Sequence, residues 1–182
     1  DYSDIWVMGK YGLTDQIEIG ARMTTNLLND ARDDFADIVV GGKYGLTPTS
    51  AVTANATIIN EVSELGLSAG YMRMMQLGQV EMNAMAQVGL LDGYAGDGVR
   101  IDLRAEPKLA INDQITGYLD VLLSTNTEDL GDYMGLNIWP NIDYVVNDDL
   151  LINAGLTAGI AGDMKQEELG LRVAAIYLMP MK

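Results

Sequence analysis

The sequence contains neither cysteine nor histidine. Without cysteine there is no disulfide, no thiolate nucleophile and no Cys-ligated metal. Without histidine, Ser-His-Asp and Cys-His catalysis and the usual zinc sites are excluded too. Both absences point away from an enzyme. Bases are scarce, 11 against 26 acids, for a formal charge of −15. A phosphate-binding face needs clustered Lys and Arg, so nucleic acid is not an expected partner. Long apolar runs are missing as well. No stretch reaches the roughly 18 apolar residues of a transmembrane helix, and the longest charge-free stretch, Tyr44 to Asn60, is broken by Pro48. The chain opens DYSD, without the basic and apolar regions of a signal peptide. For an exported protein, that is the start of a processed form or a fragment.

What is present is apolar and periodic. Hydrophobic residues make up 48% of the chain, too many for a disordered acidic segment, and the length fits one domain spanning 1–182. Period two dominates. Ile17, Ile19, Ala21 and Met23 alternate with Glu18, Gly20, Arg22 and Thr24. In VRIDLRAEPKLAI, Val99, Ile101, Leu103, Ala105, Pro107, Leu109 and Ile111 share one face, and Arg100, Asp102, Arg104, Glu106 and Lys108 share the other. A strand separates two such sets, whereas a helix scrambles them. The pattern predicts eleven strands, at about 4–13, 17–27, 38–47, 51–60, 64–75, 80–91, 99–111, 115–126, 133–146, 150–161 and 168–179. Most exceed the common strand length of about 5–6 residues and match the roughly 9–11 residues that cross a bilayer when tilted.

The connections alternate in kind. TDQ, TPTS, QLGQ, NDQ and NDD are short; NDARDDFAD, DGYAGDG, TEDLGD and DMKQEE are longer and acidic, with a shorter EVSE among them. KYGLT occurs at 10–14 and again at 43–47, a spacing that reports one hairpin rather than a helical repeat. Taken together, these features resemble those of bacterial outer-membrane β-barrels, porin-like but without a motif that assigns a subfamily, and the likeness covers essentially the whole chain. The resemblance implies an all-β, antiparallel up-and-down transmembrane β-barrel of about 12 strands, with short periplasmic turns and longer outer loops. Such barrels usually have an even strand number, so eleven implies a twelfth strand upstream of Asp1 or a miscounted segment. Arg172, Ala174, Tyr177 and Met179 approximate the family's assembly signal, with Ala where Gly is usual.

Alternation alone also fits a soluble ligand-binding β-barrel with an apolar interior. The polar positions argue against it. Thr53, Asn55, Thr57, Asn153, Gly155 and Thr157 are small and uncharged, whereas a solvated face carries many Lys and Glu. The inward charged positions are then Lys10, Glu18, Arg22, Lys43, Glu81, Arg100, Asp102, Arg104, Glu106, Lys108, Asp120, Asp143 and Arg172. These sum to about +1 and leave about −16 in loops, turns and strand ends, where water screens it. Tyr11, Tyr44, Tyr71, Tyr144 and Tyr177 lie near the short turns or the C-terminus and are expected to form an interfacial aromatic girdle.

The ladder from Arg100 to Lys108 reads either as the lining of a narrow pore or as an internal salt-bridge network. The network is preferred, with Asp120 and Glu81 joining from adjacent strands. The acidic stretches at 30–37, 92–97 and 128–132 suit weak Ca or Mg binding through oxygen ligands, without a strict EF-hand loop; no other metal or cofactor is expected. Met72, Met74, Met75, Met82 and Met85 do not share one face, so packing explains them better than a soft-metal site. Functionally, the sequence supports a small passive pore for ions or polar solutes, or a non-conducting scaffold, adhesin or assembly subunit. The expected partners are the lipid bilayer, its headgroups and other envelope proteins.

Overall fold

The computed structural model describes residues 4–26, 37–59, 64–90, 98–128, 134–148, 150–162 and 169–177. Among them are eleven strands and no helix: β1 (Asp4–Gly12), β2 (Ile17–Asn26), β3 (Asp37–Thr47), β4 (Ser50–Ile59), β5 (Glu64–Leu77), β6 (Val80–Leu90), β7 (Arg100–Ala110), β8 (Ile115–Asn126), β9 (Met134–Asn147), β10 (Leu150–Ala161) and β11 (Gly170–Tyr177). They form one antiparallel sheet in sequence order, β1 through β11. Every expected strand is found within about two residues of its expected ends. The longest overrun has a local cause. β5 runs on to Leu77 because the link to β6 is only Gly78–Gln79, and Gly78 has φ +63, a left-handed conformation that glycine adopts without a Cβ penalty. The expected end of the last strand, 178–179, falls outside the described residues, as do most of the acidic loops.

The chain divides into two compact units. The first comprises 1–73, 86–101 and 126–128. Its rows run straight across β2 to β5. Ile17, Tyr44, Val52 and Tyr71 form one row, and Ala21, Val40, Ala56 and Leu67 another, all on one face. Between them, on the other face, run Glu18, Lys43, Thr53 and Gly70, then Gly20, Gly41, Asn55 and Ser68. The second unit comprises 74–85, 102–125 and 129–182. There Leu119, Val121 and Leu123 pair with Pro140, Ile138 and Leu136, while Asp120 pairs with Trp139 and Tyr118 with Asn141 on the opposite face.

The two units share local signatures. Leu13-Thr-Asp-Gln-Ile17 closes the β1–β2 hairpin, and Ile111-Asn-Asp-Gln-Ile115 closes β7–β8. The Thr14 hydroxyl accepts from the amides of Gln16 and Ile17 at 3.2 and 3.0 Å; the Asn112 side-chain oxygen accepts from those of Gln114 and Ile115 at 2.9 and 2.8 Å. Each turn also docks on the next strand alike, Gly45 N–H donating to Gln16 O at 2.8 Å and Val145 N–H to Gln114 O at 2.9 Å. Farther along, Glu-Leu-Gly-Leu occurs at 64–67 and at 168–171, and Thr57 opposite Gly66 corresponds to Thr157 opposite Gly170. The longer repeat is therefore six strands, above the one-hairpin period marked by KYGLT.

Candidate functional site

Burial is inverted relative to a water-soluble sheet. The most deeply buried larger side chains are polar: Asp120 at 1% exposure, Ser124, Asn126 and Asn153, with Asn137, Asn141 and Asp102 close behind. The apolar face is open instead, with Leu103 at 48%, Ile142 at 52% and Val173 at 66%. A polar group loses free energy on burial unless it is hydrogen-bonded, so the polar face must be internally connected.

In the second unit most of it is, with the Thr125 hydroxyl, Trp139 Nε1 and Asn153 Oδ1 left without a hydrogen-bond partner among the described residues. Arg104 spans to Asp120 on the neighbouring strand, its Nε donating to Oδ1 at 2.6 Å and its Nη2 to Oδ2, a two-point contact that fits the planar guanidinium. The Arg104 Cζ also lies 5.7 Å from the Trp139 ring centroid. The Ser124 hydroxyl donates to Asp102 Oδ1 at 2.6 Å. Glu106 accepts from Lys108 at 2.9 Å and from Asn83 Nδ2 of β6 at 3.3 Å. Lys108 Nζ sits 5.3 Å from the Tyr118 ring centroid. The Asn153 amide donates to Tyr118 Oη at 2.8 Å and to Asp143 Oδ1 at 2.7 Å. The ladder is thus wired mostly across strands rather than between charges two residues apart; Glu106–Lys108 is the pair that closes along the strand. Asp120 joins as expected. From β6 the bond to Glu106 comes from Asn83, beside the expected Glu81, which is half-buried. Arg100 and Arg172 are half-buried, each with partners of its own.

In the first unit, Lys43 Nζ donates to Glu18 Oε2 at 3.1 Å, and Lys10 Nζ lies 3.9 Å from Glu18 Oε1. With Arg22 they line a cavity of about 400 Å³, with Thr53 and Asn55 on its wall. Four expected polar-face charges therefore converge on one space.

The expected aromatic residues fall on the apolar face where they are described. Tyr44 and Tyr71 share a row, Tyr11 stands opposite Ile19 two residues away, and in the second unit Tyr144 pairs with Ile115 and Ile152. All four are exposed. Tyr177 ends β11 opposite Leu150, beyond Arg172 and Ala174; Met179 lies outside the described residues. The acidic stretches expected to hold Ca or Mg also fall outside them, apart from Glu128 and the Asp37 backbone; among the described residues no group of three or more acids is placed to hold a metal.

Side chains not anticipated as site residues are Tyr118, Trp139, Ser124, Asn137 and Asn141. All carry the parity of Asp120 or Asp143, which is the signal that marks them. No protein-family model matches the chain, and no curated protein matches it.

Proposed function

We propose that this is an outer-membrane protein of the bacterial envelope whose sheet closes into a transmembrane β-barrel, with its apolar face toward lipid and its polar face around a small lumen, and that it serves as a passive pore for small polar solutes. The observation that carries the reading is the inversion of burial, Asp120 and Asn153 covered while Leu103 and Ile142 lie open. In water an exposed apolar face of this extent is unfavourable; in a bilayer it is the matching surface, and closure is what leaves no unpaired strand edge in hydrocarbon. The lengths fit. Eleven residues at about 3.3 Å each extend about 36 Å, and a tilt of about 40° reduces this to about 28 Å, against an apolar band of about 25 Å. Tyr11 and Tyr44 lie near the short-turn ends, and Tyr71 stands in the same cross-strand row as Tyr44, where ring and hydroxyl suit the headgroup boundary. Arg73 supports the same reading: it has the parity of Tyr71, is exposed, and stands two residues nearer the turn, where its guanidinium reaches lipid phosphates.

A second reading, a non-conducting scaffold or assembly subunit, is favoured by the filled polar face of the second unit. Planar-bilayer recording of the purified protein separates the two: discrete single-channel steps support the pore, and a stably inserted, silent barrel supports the second. Extraction tests the membrane placement itself. The account expects dependence on detergent, β-type circular dichroism and a heat-modifiable gel band; a monomer fully soluble without detergent overturns it.

A further inference from the structure

Three of the chain's 11 bases, Lys10, Arg22 and Lys43, line a cavity on the first unit's polar face with a single carboxylate, Glu18. A chain of net charge −15 does not gather cations by composition alone. Glu18 answers one of the three, through its bond to Lys43 and its approach to Lys10, and the wall keeps two positive charges in surplus. The three side chains are open to solvent, Lys10 at 56% and Lys43 at 39%, with Arg22 exposed as well, so an anion reaches them from water, and positive charges gathered on one wall draw a counter-charge. We propose that this cavity is a binding site for small oxyanions, carboxylate- or phosphate-bearing solutes. The passage of such anions through the protein rests on the pore reading; their binding does not.

The donor set favours a multi-atom anion over a halide. A guanidinium presents a planar fork and the lysines point charges, while Thr53 and Asn55 add uncharged donors. The Thr53 hydroxyl has no hydrogen-bond partner among the described residues. An anion with several acceptor oxygens satisfies such donors together. Glycine gives these two side chains their room: a Cβ at Gly70 would stand 2.9 Å from the Thr53 hydroxyl, and one at Gly41 would collide with the Asn55 side-chain oxygen. At about 30 Å³ per water, the cavity holds on the order of a dozen waters, enough for a small dicarboxylate with part of its hydration.

The test is calorimetric titration of the full chain in detergent micelles with succinate and, separately, inorganic phosphate at fixed ionic strength. Saturable binding of either supports the site, and the tighter of the two names the class; binding of neither overturns it. Arg22→Gln is expected to weaken binding about tenfold, the loss of one charged hydrogen-bond donor, with Arg22→Lys retaining most of it and Gln79→Ala in an exposed turn changing nothing. Lys43→Gln gives the same reading if Arg22→Gln fails to fold. Wild-type affinity in folded Arg22→Gln and Lys43→Gln overturns the proposal. In planar bilayers under a KCl gradient, the reversal potential is expected to show anion preference and to shift toward cations in Arg22→Glu. A conducting channel with cation preference unmoved by that change overturns the inference and leaves the pore standing. A silent barrel that binds succinate through Arg22 does the reverse.

Discussion

At the residue scale, Asp120 and Arg104 form the most consequential pair. The carboxylate is almost fully covered, and the guanidinium opposite it is about a third exposed. Removing one member of a buried pair leaves an uncompensated charge. Asp120→Ala is expected to lower unfolding stability by about 2–4 kcal/mol, the partial exposure of Arg104 keeping the loss below the fully buried limit, as read by urea unfolding in lipid vesicles. A double-mutant cycle with Arg104→Gln should show strong non-additivity. Tyr118→Phe isolates a smaller contribution, one neutral hydrogen bond to Asn153 and about 1 kcal/mol. Charged members of this face are legible in the sequence because Arg104 and Asp120 interrupt apolar runs at alternate positions. Tyr118 and Trp139 are not, since an aromatic side chain suits either face of such a strand and only its parity with Asp120 or Asn141 tells which. That Lys10, Arg22 and Lys43 share one cavity is equally hidden, because convergence depends on cross-strand register, and a one-residue slip would send each to the other face.

At the scale of elements, the hairpin turns carry matched predictions. Thr14 and Asn112 each accept two amide hydrogen bonds in equivalent turns. Thr14→Ala and Asn112→Ala are each expected to cost on the order of 1 kcal/mol, and Asn112→Thr much less, measured by the same urea unfolding. Gly78→Val forces a β-branched residue to φ +63 and should cost about 1–2 kcal/mol or more. The strands were legible throughout because alternation, length and turn residues agree, most clearly in β7. Their ends were less so at the β5–β6 link, where β5 runs on to Leu77 because Gly78 at φ +63 closes the turn in two residues, a tightness that composition alone does not give away. The lipid-facing assignment is also tested on β7. Leu103→Arg on a water-exposed strand should change stability by no more than about 0.5 kcal/mol, whereas near the middle of a bilayer it should cost about 2–4 kcal/mol, read as folding yield and urea midpoint in vesicles.

At the scale of the whole molecule, two related sets of strands differ in what their polar faces hold. One carries glycines, threonine and a surplus of cations around a cavity; the other is packed with carboxylates, amides and two aromatic rings. The signs of the six-strand relationship, Leu-Thr-Asp-Gln-Ile against Ile-Asn-Asp-Gln-Ile and Glu-Leu-Gly-Leu twice, stand in the sequence but are sparse, because alternation constrains each position only to apolar or polar. The central claim is that the face bearing Leu103 meets lipid and the face bearing Arg104 does not. The absence of cysteine makes the direct measurement clean: single nitroxide labels at Leu103→Cys, Ile142→Cys and Leu171→Cys, in protein reconstituted into vesicles, compared for collision with oxygen and with a water-soluble nickel chelate. The account predicts high oxygen and low nickel accessibility at all three. Nickel accessibility there equal to that of a label in a water-exposed turn, at Gln79→Cys for instance, would contradict it.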